Sequence, residues 1–382
     1  MKKRCSNRHG LTLVEVIVVL LTLLALAALF LPAMRSAQGP ARRSQCLNNQ
    51  RNVALAVLNF ASSNRSRLPA QAYYPGRKTA DGTGWETYEG RSWVVELTPY
   101  LDHNDLYDRW NFGEPWDSLT TSVTQPKSNT SIAEAYFECL TCPEDNSAFQ
   151  VNGGLSYALN CGIGDTNWFT STGLRLPGKV ESGQHFRVEP FDWNGNGILP
   201  PEDAEDVAIT RDLTLFWPQF GMPTDVETQT VRSELHSLGE IYDGSGNTIM
   251  LGENINAGAR SGRAQPSWAD PQVCSNGLIL PVNRTRVSTT SFSVDGSLAS
   301  FVIVKPINPA INAALDSSEG QSPFPKSAHP GISIFAFCDG SVRAISEDID
   351  RQVYSRLSTP CGTMVRDLLE FVPEEPLSAE SF

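Results

Sequence analysis

Nineteen consecutive residues without a charge, Val16 to Met34, constrain the fold of this chain more than any other stretch. That length is close to the roughly twenty residues that a helix needs to cross a hydrocarbon core. Four basic residues precede the run, and Glu15 stands at its head, where a carboxylate is costly unless it has a function. By the positive-inside rule we expect a single-pass helix at residues 11–34 of the inner (cytoplasmic) membrane, with the N-terminus cytoplasmic and the following chain exported.

The residues around Gly10 resemble the prepilin-type amino terminus of type IV pilins and type II secretion pseudopilins. The shared features are a basic leader at 1–10, then Gly10, an apolar Leu11 and Glu15. The resemblance implies that prepilin peptidase cleaves after Gly10 and methylates Leu11. It also implies that Glu15 pairs with the terminal ammonium of a neighbouring pilin-like subunit. The family usually has Phe at the Leu11 position, and the alternative is an uncleaved signal anchor that contains a glutamate.

The chain beyond the leader is acidic. The 382 residues include 30 Lys and Arg against 42 Asp and Glu, and four of the basic residues lie in the leader. Removing them leaves 26 basic against 42 acidic residues, a formal net charge of −16. Nucleic-acid binding depends on clustered Lys and Arg, so this composition argues against it. The sequence contains no phosphate loop, nucleophile elbow or paired-histidine motif, and we predict no enzymatic activity.

The cysteines suggest disulfide chemistry rather than a metal site. Of eight cysteines, Cys5 lies in the leader, which leaves an odd number for the exported part. Cys139 and Cys142 form the close pair of a C-x-x-C motif. A tetrahedral zinc site needs two further ligands, and nothing at matching spacing supplies them. We therefore favour a local disulfide or two unpaired thiols over a metal at this pair.

The exported part begins with a predicted stalk helix at 41–61. Pro32 and the Gly39-Pro40 pair predict that the preceding helix is bent or interrupted. Helical spacing then defines an apolar stripe that we expect to pack on the globular domain. The stripe consists of Cys46, Leu47, Val53, Ala54, Val57, Leu58 and Ala61. The opposite, polar side consists of Arg42, Arg43, Asn48, Asn49 and Arg51.

The overall prediction is an α+β fold in which a pilin-like long N-terminal helix, half in the membrane and half exported, packs on a mostly antiparallel β domain. This domain spans 62–372 and is followed by an acidic tail at 373–382. Residues 62–84 are rich in turn formers. The predicted strands are Tyr136–Cys139, Leu155–Leu159, Thr214–Trp217, Thr248–Leu251, Gly277–Leu280, Phe301–Val304 and Ile332–Cys338.

Residues 192–203 match a calcium-binding loop. Oxygen-bearing side chains alternate at loop positions one, three and five, a glycine follows at six, and an acid closes the loop at twelve. Calcium prefers six to eight oxygen ligands, and alternate residues of a tight loop can all face inward. The predicted ligands are Asp192, Asn194, Asn196 and Asp203, with the backbone carbonyl of Ile198. Two prolines after the loop depart from the usual pattern, and the alternative is an Asn-Gly turn that binds no ion.

Near the carboxyl end, His329 is followed after nine residues by Asp339 and Gly340. We predict a hairpin at 329–345 with Asp339-Gly340 as a two-residue turn. This H-x9-DG pattern resembles the carboxy-terminal signature of a large uncharacterised family of prepilin-type proteins. The resemblance implies a pilin-like helix on a β-rich exported domain and no established activity. We interpret His329 as a hydrogen-bonded structural residue rather than a ligand or a base.

Three functions remain open from the sequence, the weakest of which is a membrane-anchored hydrolase. The first is a pseudopilin-like subunit that prepilin peptidase processes and that assembles with pilin-like subunits or with itself. The second is a membrane-anchored module that binds an exported solute or glycan. Aromatic side chains suited to stacking on sugars are Tyr73, Tyr74, Trp85, Trp168 and Trp268. Several acids, Glu253 among them, are scattered through the domain, and their spacing selects no pair.

Overall fold

A computed structural model describes residues 12–78, 85–87, 90–122, 126–165, 204–221, 235–255, 257–258, 266–286, 301–306, 311–312 and 325–364. Within the first helix, side chains are described for residues 12–26 and 39–63. The chain divides into two compact units, Met1–Gln45 and Cys46–Phe382. The leader with Gly10 and Leu11, the calcium loop at 192–203, Trp168 and the acidic tail lie outside the described residues.

Helix α1 spans Leu13–Ser63. Its first turn is closed by a capping box, because the Glu15 carboxylate accepts hydrogen bonds from the Thr12 amide at 2.8 Å and the Thr12 hydroxyl at 2.9 Å. Every side chain from residue 12 to residue 26 is exposed. Among the described residues, no helix combines the length and the apolarity that a membrane crossing requires.

The expected interruption of α1 does not occur. Helical backbone continues through Pro32 and through Gly39-Pro40 without a break. A proline removes one intrahelical hydrogen bond and crowds the carbonyl four residues earlier, which strains a helix without obliging it to end. The segment predicted as a stalk helix at 41–61 is the carboxy-terminal part of α1.

The apolar stripe of residues 46–61 is buried as predicted. Cys46, Val53, Ala54, Val57 and Ala61 are fully buried within the second unit. The remaining stripe positions, Leu47 and Leu58, are half-buried.

Asn49, which was predicted to lie on the polar side of this helical segment, lies on its buried side. Asn49 is buried, together with its neighbour Gln50. The Asn49 amide donates to the carbonyls of Glu138 at 3.0 Å and Thr141 at 2.9 Å, and the Gln50 amide donates to the carbonyl of Ile334 at 2.8 Å. These bonds satisfy side-chain N–H donors that would otherwise be costly to bury.

Short helices and strands make up the rest of the second unit. The helices are α2 Trp93–Leu97, α3 Asn104–Arg109, α4 Asn129–Ala133, α5 Ala204–Asp212, α6 Val273–Asn276 and α7 Arg351–Ser358. The strands are β1 Ala72–Lys78, β2 Trp85–Thr87, β3 Arg91–Ser92, β4 Tyr157–Asp165, β5 Gln219–Gly221, β6 Ile249–Glu253, β7 Gly277–Arg286, β8 Phe301–Pro306, β9 Ile332–Phe337 and β10 Val342–Ser346. Short 3-10 turns include Thr98–Leu101, Glu138–Leu140, Leu238–Glu240 and Gly362–Met364.

Among the described residues, the larger sheet has six strands in the order β10-β9-β6-β4-β7-β8. Its neighbours are antiparallel except for β4 and β7, which run parallel. In the smaller sheet β1 pairs antiparallel with β2 and β3 and parallel with β5. The fold is α+β as predicted, and the pairings among the described strands are mostly antiparallel, with one parallel pair in each sheet.

Most of the predicted strands fall on observed ones, and two do not. The pieces predicted within β4, β6, β7, β8 and β9 are confirmed. The predicted strand Tyr136–Cys139 instead runs into the 3-10 turn at Glu138–Leu140, and Thr214–Trp217 is a buried segment ahead of β5. Residues 72–78, interpreted as turn-rich, form β1 despite a proline and a glycine within the strand.

The carboxy-terminal hairpin exists, but its turn is one residue longer than predicted. Strands β9 and β10 pair with Ala336 opposite Val342. The amide of Gly340 donates to the Phe337 carbonyl at 2.9 Å, and the amide of Phe337 donates to the Ser341 carbonyl at 2.9 Å. The loop is therefore the three residues Cys338, Asp339 and Gly340, with the glycine at a φ of 82°. A left-handed residue at that position is typical of three-residue hairpins, which is why glycine suits it.

Candidate functional site

Four side chains with metal-binding or redox chemistry meet inside the second unit. Cys46, Cys142, Glu253 and His329 place one sulfur, nitrogen or oxygen atom each within 4.8 Å of one another. All four are buried, His329 being the most exposed at 6%. We call them the Cys–His–Glu cluster.

The order of strands in the larger sheet brings Glu253 and His329 together. Glu253 is the last residue of β6, and His329 lies three residues before β9. These strands are antiparallel neighbours, so the end of one lies beside the beginning of the other. Glu253 also stands opposite Tyr157, the first residue of β4. The site thus forms at one end of the three central strands.

The two cysteines reach the same place from outside the sheet. Cys46 projects from α1, and Cys142 follows the 3-10 turn at Glu138–Leu140. The bonds from Asn49 to the carbonyls of Glu138 and Thr141 fix the helix against this loop. Cys46 and Cys142 form a disulfide with their Cα atoms 5.0 Å apart.

The two oxygens of Glu253 have different surroundings. Oε2 accepts hydrogen bonds from the Ser327 hydroxyl at 2.6 Å and from the Ile334 amide at 3.0 Å. Oε1 is buried, accepts no hydrogen bond from the described residues, and lies 3.5 Å from His329 Nε2. Burying a carboxylate oxygen without a hydrogen-bond donor lowers the stability of the fold. The orientation of this oxygen towards the cluster therefore suggests a function.

A second buried carboxylate, that of Asp145, is linked to Cys142 through the hydroxyl of Ser156. The Ser156 hydroxyl accepts a hydrogen bond from the Cys142 amide at 3.0 Å and donates to Asp145 Oδ2 at 2.6 Å. The other oxygen of Asp145 accepts from the amide of Ser147 at 3.0 Å. Burial raises the pKa of Asp145, while the serine hydrogen bonds act in the opposite direction. The imidazole of His329 contacts the disulfide, with Nε2 at 3.5 Å from Cys142 Sγ.

The prediction for Cys139 and Cys142, a local disulfide or two unpaired thiols, is wrong. Cys142 is bonded to Cys46, and Cys139 forms no disulfide within the described residues. Burial raises the pKa of the Cys139 thiol to about 11. Cys161, Cys338 and Cys361 are also free thiols. The short spacing of Cys139 and Cys142 favoured pairing them with each other. The fold instead brings Cys142 within bonding distance of Cys46, 96 positions earlier in the chain.

The two ends of the H-x9-DG signature do not form one site. His329 belongs to the Cys–His–Glu cluster, whereas Asp339 and Gly340 make the turn beyond the far end of β9. The six-residue strand between them separates the two ends by about 20 Å at a rise of about 3.3 Å per residue. Asp339 accepts a hydrogen bond from the Ser341 amide at 2.8 Å, which is a local turn contact.

The aromatic residues proposed for sugar stacking are divided between core and surface. Trp268 and Tyr74 are buried, at 0% and 2% exposure, and belong to the interior. Half-buried Tyr73 lines an open cavity of about 690 Å³ together with Tyr100 and Tyr107. The side chain of Trp85 lies outside the described residues.

That cavity also carries more positive than negative charge. Its charged lining consists of Arg65, Arg67, Arg91 and Glu96. The guanidinium of Arg91 lies over the Tyr73 ring at 4.3 Å from its centroid and forms an ion pair with Glu96.

The sequence did not identify Glu253 and Cys46 as site residues. Glu253 closes a strand whose five positions are all buried, and a lone acid at the end of such a strand is the signal that would have selected it. Cys46 sits in the apolar stripe of α1, where a cysteine is indistinguishable from a small core residue.

A comparison with protein-family models matched residues 35–352 to the model described as a protein of unknown function (DUF1559). The matched range contains all four residues of the Cys–His–Glu cluster as well as Asp339 and Gly340. Comparisons with curated proteins and with solved structures found no match.

Proposed function

The chain belongs to the DUF1559 family of proteins of unknown function, and from that premise we propose that it is a pseudopilin-like envelope protein. In this proposal prepilin peptidase removes residues 1–10 and methylates Leu11. The apolar start of α1 then anchors the protein in the inner membrane and packs with pilin-like subunits or with other copies. The second unit is the exported domain.

The observation that carries the proposal is the bare apolar surface at the start of α1. The large apolar side chains of residues 13–26 are 44–76% exposed. Water-exposed patches of this extent mark surfaces that lipid or another protein covers. The basic leader before this surface, the Gly10-Leu11 junction and the acid at Glu15 are the features that favour a pilin-like partner over lipid alone.

The capping box gives Glu15 a competing, purely local role. Its carboxylate closes the first turn of α1 on Thr12, and glutamine can close the same box without a charge. Pairing with a partner's ammonium requires the negative charge. The two roles can therefore be separated by replacing the carboxylate with its amide.

We expect Glu15→Gln to leave membrane insertion intact and to abolish incorporation into filaments, because it keeps the capping box and loses the charge. The measurement is the amount of protein in sheared filaments or crosslinked subunit ladders relative to the membrane fraction. Intact-mass analysis of each purified variant first establishes that the chain begins at methylated Leu11.

Thr12→Ala is the matched control, since it removes the capping hydroxyl and keeps the charge, and it should assemble at close to the wild-type level. Normal assembly of Glu15→Gln would refute the pairing role. A chain that retains its leader after export would refute the pilin-like processing itself.

The open cavity favours a second candidate function, the binding of a solute or glycan. Three tyrosines line the cavity, and an excess of arginines over acids favours an anionic sugar. This function is compatible with the anchored architecture and does not depend on assembly.

We expect the full chain in detergent micelles to bind an acidic polysaccharide such as alginate saturably, and Tyr73→Ala to weaken binding at least tenfold by removing a stacking face. Calorimetric titration measures both. Tyr242→Ala is the control, because Tyr242 is 62% exposed and is absent from the cavity lining. Equal loss in both variants, or a flat titration of the wild type, would exclude the cavity as an acidic-glycan site.

A further inference from the structure

We propose that the Cys–His–Glu cluster is a zinc site in the reduced protein, with Cys46 and Cys142 as thiolate ligands, His329 as an imidazole ligand and Glu253 as a carboxylate ligand. The site and the disulfide are alternative states of the same two sulfurs. This inference does not depend on the anchored or assembled state of the protein.

The distances fit a tetrahedral ion. Zinc binds sulfur at about 2.3 Å and nitrogen or oxygen at about 2.0–2.2 Å, so neighbouring ligand atoms of a tetrahedron lie about 3.3–3.8 Å apart. His329 Nε2 is 3.5 Å from Cys142 Sγ and 3.5 Å from Glu253 Oε1. The remaining pairs of ligand atoms lie within 4.8 Å. Once the bond between the sulfurs is broken, those two atoms must separate and the other ligand atoms need to move by about 1 Å at most to reach tetrahedral spacing.

The ligand atoms are available and oriented. Glu253 Oε1 has no hydrogen-bond donor among the described residues and points into the cluster, while Oε2 is held by Ser327 and Ile334. Such outer contacts orient ligands in known metal sites. Ser156 and Asp145 hold the loop at Cys142 in the same way. Two thiolates with an imidazole and a carboxylate suit zinc better than calcium or magnesium, which prefer oxygen alone.

The conversion between the two states balances. A water-soluble phosphine reduces the disulfide to two thiols and is itself oxidised to a phosphine oxide. One water molecule supplies the oxygen of the phosphine oxide and the protons of the two thiols. Zinc then displaces the two thiol protons as both sulfurs become thiolates. A small-molecule disulfide reverses the sequence: it takes two electrons from the protein thiolates and, with two protons from water, becomes two thiols, while the protein disulfide forms and the zinc ion is released.

The site is closed, which favours a structural over a catalytic ion. Four protein ligands leave no open position for water or substrate. All four residues are at most 6% exposed. The ion would tie α1 to the loop before β4 and to the ends of β6 and β9, as the disulfide ties the first two of these elements.

The test compares the reduced and the disulfide forms of the full chain in detergent micelles. Each form is incubated with Zn²⁺, desalted, and analysed for bound metal by mass spectrometry. We expect one zinc per chain in the reduced form and none in the disulfide form. With Co²⁺ as the probe, the reduced form should show thiolate-to-metal charge transfer and the d–d bands of a tetrahedral ion.

Variants identify the ligands. Glu253→Gln and His329→Asn should each weaken zinc binding at least about tenfold, since even outer contacts contribute 10–100-fold in known sites. Cys139→Ser should bind like the wild type. Circular dichroism checks that each variant is folded, and the comparison of the two wild-type forms needs no variant.

Three outcomes would overturn the proposal. The reduced wild type could bind no zinc, in which case the cluster serves only the disulfide. Zinc could bind equally to both forms, which would exclude the sulfurs as ligands. Loss of binding in Cys139→Ser would transfer the site to the C-x-x-C pair.

Discussion

Replacing Cys46 and Cys142 together with serine is expected to lower the free energy of unfolding by about 4 kcal/mol, because a cross-link that closes a loop of roughly 100 residues restricts the unfolded chain by about that amount. The cysteines lie 96 positions apart. Serine fills nearly the same volume, so the loss reflects the missing bond more than a cavity. Urea unfolding of the full chain in micelles, followed by tryptophan fluorescence with a chelator present, measures it.

The single variant Cys139→Ser is the matched control and should cost less than about 1 kcal/mol, since it breaks no cross-link. Reduction of the wild type in the presence of chelator should reproduce the effect of the double variant. If the double variant and the reduced wild type both unfold at the wild-type urea concentration, the bond between Cys46 and Cys142 does not stabilise the fold.

Trp268→Ala is expected to lower the free energy of unfolding by about 4 kcal/mol, the typical cost of removing a large buried aromatic side chain. Trp268 is fully buried and contacts Phe137 edge-on at 5.2 Å between ring centroids. Its indole N–H donates to the Ala135 carbonyl at 2.8 Å. Equilibrium unfolding in urea measures the loss.

Trp268→Phe separates the two contributions, because it keeps an aromatic ring and removes the hydrogen bond. It should cost less than the alanine variant and more than about 1 kcal/mol, the usual worth of such a bond. A Trp268→Ala variant as stable as the wild type would mean that this indole is a surface group, as the sugar-stacking interpretation requires.

Sequence patterns predicted individual helices and strands, because the spacing of apolar residues within a short segment reflects which of its faces is buried. The stripe from Cys46 to Ala61 has helical spacing because one face of the helix is buried, and the strand in Ile332–Cys338 is an apolar run bounded by turn residues. Strand β1 was missed because Pro75 and Gly76 within it read as a turn. The long helix α1 was predicted, but with a bend or an interruption at its prolines, because a proline normally kinks or ends a helix.

The candidate site could be predicted only in part, because its members are brought together by strand order. His329 attracted attention through the H-x9-DG signature, although its partner in that signature lies at the other end of β9. Glu253 meets His329 because β6 and β9 are neighbours, and no periodicity within either strand encodes that adjacency. The pairing of Cys46 with Cys142 likewise depends on where α1 docks.

The position of the disulfide has a mechanical consequence. Cys46 is the first residue of the second unit, and its sulfur is joined to the loop that leads towards β4 at the centre of the larger sheet. A pulling force applied at Cys46 would pass through a covalent bond into that loop instead of resting on side-chain packing alone. The segment of α1 from 46 to 63 would then resist separation from the domain.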